Sequence, residues 1–259
     1  MAEEFYLERL IGDKGEHARA GRDFLRAKGF NGTHAKHFGV GFAPRSGDAL
    51  VAHLQAKGFN PDEMTASGLA GQSSRGLYDR FRGRVVWPIR DITGDTVGFG
   101  ARRIFEDDRI EAKYLNTSET PIYKKAQVLY GLDLAKKEVS RSHRVVVVEG
   151  YTDVIACHKA GFENVVATLG TALTPKHASL LRRIADTVVL LFDGDEAGQR
   201  AADRAIEVFF REPVDVKIAV LPGGKDPDDL LKDQGGAALF AETIAAAEDA
   251  MAFRFKRLE

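Results

Sequence analysis

The chain has 259 residues, 44% of them hydrophobic, and 37 Lys and Arg against 38 Asp and Glu leave a formal net charge of −1, enough apolar material for one large domain or two modest ones and too even a balance for bulk charge to name a polyanionic partner. One cysteine, Cys157, excludes an internal disulfide, and with no Cys/His cluster there is no zinc site, so any metal must be held by oxygen. No apolar run approaches the ~20 residues that span a bilayer, and MAEEFYLERL at the start is no signal peptide, which together point to a soluble, cytoplasmic protein.

From Phe5 to about Gly71 the pattern is helical. GRDFLRAKGF stops at Gly29, and SGDALVAHLQAKGF starts at a Ser46 cap and stops at Gly58. RFRGRVVWPIRDITGDTVGFGARRIF then reads as a β-meander, with strands over 85–90 and 96–104 about a turn at Thr93, Gly94 and Asp95. Pro88 places the first of these strands at an edge or a bulge. A helix is expected near 134–139, and at Arg144 the chain begins to alternate. RVVVVEG, NVVATLG, TVVLLFD and DVKIAVLP read as strands. Between and after them YTDVIACHKAG, TPKHASLLRRIA, EAGQRAADRAIEVFF and DPDDLLKDQG read as helices, the second capped by Thr174 with Pro175 in its first turn. Continuous Val/Ile/Leu runs are what strands covered on both faces look like, so this stretch predicts a parallel α/β sheet. AALFAETIAAAEDAMAFRFKRL is rich in helix formers, shows no strand, and is expected to open a helical subdomain. The expected organisation is a basic α+β subdomain over 1–142, an α/β subdomain over 143–235 and the start of the helical part over 236–259.

Charge is unevenly placed along the chain. Residues 75–103 hold seven arginines against three aspartates, whereas 144–233 hold eleven Lys/Arg against fifteen Asp/Glu. VVLLFDGDEAG runs an apolar strand straight into carboxylates, and Asp-Gly-Asp there reads either as a turn or as oxygen ligands for a hard cation. In an open α/β sheet every strand-to-helix loop opens on the carboxyl edge. Glu149 ends the first strand, Asp193 and Asp195 end the third, and Asp226 and Asp228 follow the fourth, while Asp153 looks back from the first turn of its helix. Each has a structural alternative: Asp226 before Pro227 is a fitting N-cap, Asp228 suits a helix dipole, and Asp153 is an ordinary first-turn acid. Jointly, carboxylates on one edge repel and raise one another's pKa unless cations neutralise them. An all-oxygen set favours Mg²⁺ or Mn²⁺, and two such ions suit in-line displacement at phosphorus.

Glu-Gly-Tyr-x-Asp in VVVVEGYTDV, followed by Asp-Gly-Asp in LLFDGDEAG, resembles the Toprim domain of primases, topoisomerases and some nucleases, which implies a Rossmann-like parallel sheet. Upstream, YDRFRGRVVWPIRD, VGFGARR and KYLNTSETPIYKKAQVLYGL resemble the basic and nucleotide-binding motifs of the bacterial DnaG-type primase family. LPGGKDPDDLL resembles the last acidic motif of that family, and FLRAKG and GVGFAP also fit. The resemblance covers nearly the whole chain. It implies a DNA-directed RNA polymerase that makes short RNA primers on single-stranded DNA from ribonucleoside triphosphates for DNA replication. Carried over by position, Glu149 is a general acid/base candidate or a metal ligand, Asp193 and Asp195 are principal ligands, and Asp226, Asp228 and Asp153 complete a second metal position. Arg102, Lys113, Asn116 and Lys125 would surround the incoming nucleotide or the growing primer. Arg80, Arg82 and Arg84 alternate along a strand entrance and could track template phosphates from one face. Lys28 stands where the family tends to place an arginine, which keeps the charge but loses the bidentate fork.

By resemblance the family carries a zinc-binding domain before such a core and a helicase-binding domain after it. The replicative helicase and the single-stranded DNA-binding protein would therefore be partners through regions outside this chain, itself expected to be a monomer. GFGARR has no third glycine and no βαβ setting, PGGKD reads as a turn, and the seven histidines form no ligand pattern, so surface or capping roles are expected for them. Two rival readings stand beside the polymerase: a Toprim topoisomerase or nuclease, and a scaffold that holds single-stranded DNA or partner proteins without turnover.

Overall fold

The structure, a computed structural model, describes residues 1–108, 110–193, 196–210 and 212–256. Packing divides them into two compact units, Met1–Ile89 with Thr96–Lys124, and Arg90–Asp95 with the chain from Lys125 on.

The first unit begins with helices α1 (Ala2–Gly12), α2 (Glu16–Ala27) and α3 (Gly32–Phe38), a short strand β1 (Gly41–Ala43), and helices α4 (Ala49–Ala56) and α5 (Pro61–Ala66). A hairpin of β2 (Ala70–Ser73) and β3 (Gly76–Asp79) follows, then β4 (Arg84–Arg90), β5 (Thr96–Arg103) and β6 (Tyr114–Asn116). The main sheet runs β1-β4-β5-β6, with β1 antiparallel to β4 and β6 antiparallel to β5. Phe5 and Tyr6 of α1, Leu50 of α4 and Val86 and Phe99 of the sheet share one core with Phe81. Fully burying such a side chain is worth about 1.5–3 kcal/mol.

Gly29 and Gly58 follow α2 and α4 at φ +70° and +92°, as their C-terminal positions predict. Three expectations need correction. The stretch predicted as helical, from Phe5 to about Gly71, contains β1 and runs into the start of the β2–β3 hairpin, strands too short and too rich in glycine to show a strand period. Pro88 lies in an interior strand, because β4 is flanked by β1 and β5; β1 reaches only Arg84 to Val86, so Pro88 sits past its end and costs no ladder bond to it. Ser46 does not cap α4. The N-cap is Asp48, which makes no side-chain capping bond, and buried Asp79 instead accepts from the backbone N–H groups of Leu50 and Val51, each at 2.9 Å.

The second unit alternates. It comprises α6 (Leu132–Ser142), β7 (Arg144–Val148), α7 (Tyr151–Lys159), β8 (Val165–Ala167), α8 (Pro175–Ile184), β9 (Thr187–Phe192), α9 (Glu196–Phe209), β10 (Asp215–Val220), α10 (Pro227–Leu230), α11 (Gly236–Ala245), β11 (Glu248–Asp249) and α12 (Ala250–Lys256). The sheet order is β11-β10-β9-β7-β8; β10, β9, β7 and β8 pair in parallel and β11 closes the edge antiparallel. Val145 and Val147, Val188 and Leu190, and Ile218 are buried in one core with helix residues such as Leu181 and Ile206. Thr174 caps α8 through the His177 N–H at 3.2 Å, with Pro175 at the first helical position. The last segment does hold a strand, since Glu248 and Asp249 pair with Ile218 and Lys217. Two residues are below the length a periodicity can register. Among the described residues no helix is long and apolar enough to cross a membrane.

Candidate active site

Strand β8 lies on one side of β7 and β9 on the other, so the chain reverses direction across the sheet between β7 and β9. That reversal opens a crevice at the carboxyl ends of the two strands, where open α/β sheets bind ligands. Glu149 leaves β7 there and is exposed; Asp193 leaves β9 and is half-buried. Gly198 allows the first turns of α9 to close over β9, because a β-carbon at that position would overlap the carbonyl oxygen of Asp193. No reading of the sequence singled out this glycine, although its place five residues after Asp193 in DGDEAG is the signal that could have found it. Asp195 lies outside the described residues.

Asp153, in the first turn of α7, is buried. Its Oδ2 accepts from the Gly150 N–H at 3.0 Å, while Oδ1 is buried with no hydrogen-bond partner. Burial, then the charges of Asp226 and Asp193 and more weakly that of Asp228, push its carboxyl up to about 8 against the pull of the Gly150 N–H. The carboxylates from three strand ends are therefore within electrostatic reach of one another. Two of them also do the structural work their positions allow. Asp226 caps α10, its Oδ1 accepting from the Asp229 N–H at 2.7 Å, and buried Asp228 accepts from Lys232 Nζ at 3.0 Å. Among the described residues no three acids, histidines or cysteines stand close enough together to close a metal site. The donors are all oxygen, and an orphaned buried carboxylate oxygen is what a hard divalent cation satisfies, so the residues present fit such an ion.

A cavity of about 250 Å³ opens beside Glu149, walled by Thr168, Gly170 and Thr171 of the loop after β8 and by Leu191 and Arg204. Leu169 in that loop is buried at φ +65°, a conformation leucine adopts only when its surroundings impose it. Lys125 reaches the same loop, its Nζ 3.4 Å from the Gly170 carbonyl. Its segment is tied down by Thr174 Oγ1, which donates to the Ala126 carbonyl at 2.7 Å, and by His177, whose Nε2 is 3.2 Å from the Lys125 carbonyl. His177 is fully buried, contrary to the expectation of a surface or capping histidine, and burial lowers its pKa. Neither His177 nor Arg204 was legible as a site residue, because neither belongs to a motif with its own spacing.

In the first unit Arg102 and Asn116 share one face of the β5–β6 ladder, in which Arg102 pairs with Tyr114 and Gly100 with Asn116. Arg102 Nη1 donates to Tyr114 Oη at 2.6 Å, and its guanidinium stands 4.8 Å from the Tyr114 ring and 5.5 Å from the Phe24 ring. Tyr114 and Phe24 escaped the sequence reading, which looked for charge and not for the aromatic walls that hold it. Lys113 is exposed immediately before β6, and half-buried Lys28 follows Phe24 by one helical turn.

The three alternating arginines part company. Arg82 is exposed and Arg80 half-buried, but Arg84 is 1% exposed, its Nε on Asp108 at 2.7 Å and its Nη atoms on the Ile110 and Ala112 carbonyls at 2.7 and 3.0 Å. Gly83 explains the departure from the expected template track. At φ +62° it turns the chain just before β4 begins, so residues on its two sides do not share a strand face.

A family model for the DNA primase catalytic core, N-terminal domain, matches residues 5–136, and a Toprim-like model matches 146–231. The RNA polymerase domain of Mycobacterium tuberculosis primase DnaG superposes with a TM-score of 0.92 at 42% identity, over 99% of this chain and 84% of that one. This chain belongs to the DnaG-type DNA primase family. The same Mycobacterium domain, in complex with a double-stranded DNA oligomer that has a 6-nucleotide overhang, matches with a TM-score of 0.88 at 43% identity over 97% of this chain and 79% of that one. The DNA primase of Streptomyces coelicolor is 49% identical over 244 residues, which cover 92% of this chain and 38% of that protein. The chain thus spans well under half the length of the curated relatives it matches. The Toprim-like match contains the reversal between β7 and β9, and the primase match contains the β5–β6 ladder with Arg102.

Proposed function

We propose that this chain is the polymerising core of a bacterial primase, joining ribonucleoside triphosphates into a short RNA primer on single-stranded DNA. The observation that carries the reading is the buried Asp153 carboxylate, with one oxygen orphaned and its charge opposed by Asp226, Asp193 and Asp228 from two other strand ends. Such an edge is stable as an anion only when a cation completes it. Mg²⁺ or Mn²⁺, two ions or more, would be held by Asp193, Asp195 and Glu149 and by Asp153, Asp226 and Asp228. A bound divalent ion supplies polarisation of phosphoryl oxygens and acidifies a hydroxyl near it. Glu149, exposed at the end of β7, would take the proton of the attacking 3′ hydroxyl. Lys125, Arg102, Lys113 and Asn116 bind triphosphate or primer oxygens, and the aromatic faces of Tyr114 and Phe24 brace the Arg102 guanidinium. The new phosphodiester forms at the α-phosphorus as pyrophosphate leaves.

Template contact falls to Lys28, Arg80 and Arg82; a DNA-bound relative of the same domain supports a nucleic-acid partner. The functional division we adopt is 1–142 for binding strand and nucleotide, 143–235 for the acidic edge and 236–259 for the start of a helical part, in a monomer working in the cytoplasm with the replicative helicase and single-stranded DNA-binding protein.

The test is primer synthesis from labelled ribonucleotides on single-stranded DNA with Mg²⁺ or Mn²⁺. Template-dependent oligoribonucleotides are expected from the wild type, with at least a ~1,000-fold loss in Asp193→Asn, whose fold should persist because a partly solvated carboxylate is replaced by its isostere. DNA cleavage in place of synthesis would overturn the reading in favour of a nuclease.

A further inference from the structure

Outside the acidic edge, the first unit holds a cavity of about 290 Å³ whose walls include Arg45, Arg80, Arg82, Phe105 and Asp107. The Arg45 stem packs over Gly83, where an added β-carbon would lie 3.1 Å from Arg45 Cγ, and its guanidinium stands 4.7 Å from the centre of the Phe105 ring. Arg82 is backed in the same way by Tyr78, 5.5 Å from the ring centre. Arg80 Nε is buried with no hydrogen-bond partner. Three guanidinium groups thus line one hollow, two of them braced on aromatic rings, a composition that suits phosphate oxygens. Two carboxylates line it, Asp107 and Asp108. Asp107 accepts from Arg45 Nη2 at 2.5 Å while remaining 67% exposed, and the Arg45 hydrogen bond holds its carboxyl below the usual range. Its neighbour Asp108 is only 13% exposed and belongs to Arg84. The two adjacent acids therefore differ in kind: Asp108 is built in, whereas Asp107 is held at the surface by a single arginine.

We propose that Arg45, with Arg80 and Arg82, forms a phosphodiester-binding site, and that Asp107 occupies it as an internal anion which a nucleic-acid phosphate displaces. This rests on the reading that the unit binds single-stranded DNA, and it gives Arg45 the role that Arg84, which also lines the hollow, cannot take while its guanidinium is held by Asp108 and the Ile110 and Ala112 carbonyls. An exposed ion pair is weak, so exchange for a phosphate is reversible and costs little. The carboxylate shields the arginines from stray anions yet yields to a polyanion, whose phosphates release condensed counterions on binding.

The test is fluorescence anisotropy of a labelled single-stranded deoxyoligonucleotide across a salt series, with wild type, Asp107→Asn, Arg45→Ala and the double variant, each checked by thermal melting. Asp107→Asn is expected to tighten binding by about two- to five-fold with little change in salt dependence. Arg45→Ala is expected to weaken it and to lower the slope of log K against log salt by about 0.7. The double variant should bind like Arg45→Ala alone, because the carboxylate acts only through Arg45. Equal or weaker binding by Asp107→Asn overturns the proposal, as does a double variant that keeps the full gain, which would make the effect general charge removal. Competition by inorganic triphosphate separates a strand phosphate from a nucleotide's: displacement of the oligonucleotide that depends on Arg45 would assign the hollow to triphosphate instead. A wild type that binds no DNA would remove the functional reading itself, a result distinct from all of these.

Discussion

In the parallel sheet the charges sit where strands end, and in the antiparallel sheet they sit along the strands and their approaches. Asp153, Asp193, Asp226 and Asp228 are brought into mutual range by a topology that sends every loop to one edge, so their repulsion is a consequence of the fold. The arginines of the other unit are dispersed by backbone turns and braced one at a time: Arg102 between Tyr114 and Phe24, Arg45 over Phe105, Arg84 on Asp108. Acids placed by topology form a cluster that needs an outside cation. Bases placed by side-chain packing each find a partner within the protein, and which of them stays open to a ligand depends on that partner.

The sharpest break in this contrast comes at Arg84, the arginine whose partners are all internal. Arg84→Ala would strand Asp108, which is 13% exposed, together with the Ile110 and Ala112 carbonyls. Removing one member of a buried pair costs about 3–5 kcal/mol. Urea denaturation should show that loss as a lower midpoint with an unchanged slope. A variant as stable as the wild type would mean that Arg84 is not the structural residue its burial makes it.

On the acidic side the corresponding lever is pH. The Asp153 carboxyl, raised by burial and by its acidic neighbours from 3.8 to about 8, keeps its proton in the folded state over a range in which the unfolded chain has lost it. Stability without divalent cation should therefore fall as pH rises from about 4 to about 8 and level off above. Asp153→Asn keeps an acceptor for the Gly150 N–H and carries no charge, so it should melt higher than the wild type at pH 8 without metal and lose most of that slope. Added Mg²⁺ should stabilise the wild type more than the variant. Parallel pH profiles for the two proteins would show that the acids do not press on Asp153 as their placement requires.

How far the sequence could be read follows the same division. The parallel half was legible because its strands are long, apolar on both faces and separated by capped helices, and because topology alone then fixes where Glu149, Asp193 and Asp226 emerge. Asp226 and Thr174 as caps followed from local chemistry. The antiparallel half was legible only in β4 and β5. Its hairpin over Ala70–Asp79 is built on short, glycine-bearing strands, and its site residues depend on packing partners far away in sequence, such as Phe24 with Arg102 or Asp107 with Arg45. Alternation assigned Arg80, Arg82 and Arg84 to one face, and a single glycine at positive φ undid it. Spacing is informative where the backbone is regular, and Gly83 marks the place where it is not.

Arg82 supplies the smallest and finest test, because it lies two residues from Arg84 and has the opposite surroundings. It is exposed, its guanidinium stands 5.5 Å from the centre of the Tyr78 ring, and among the described residues it makes no ion pair. Arg82→Ala should leave the unfolding midpoint nearly unchanged, since exposed substitutions of this kind stay within ~0.5 kcal/mol. It should weaken single-stranded DNA binding by a few-fold, uniformly across sequences, and flatten the salt dependence by about 0.7, the share of one phosphate contact. Anisotropy titrations at several salt concentrations read both effects together. A loss of affinity with an unchanged slope would mean that Arg82 acts by shaping the hollow and not by neutralising a phosphate, which would leave Arg45 and Arg80 to make the ionic contact and move the strand path toward Phe105.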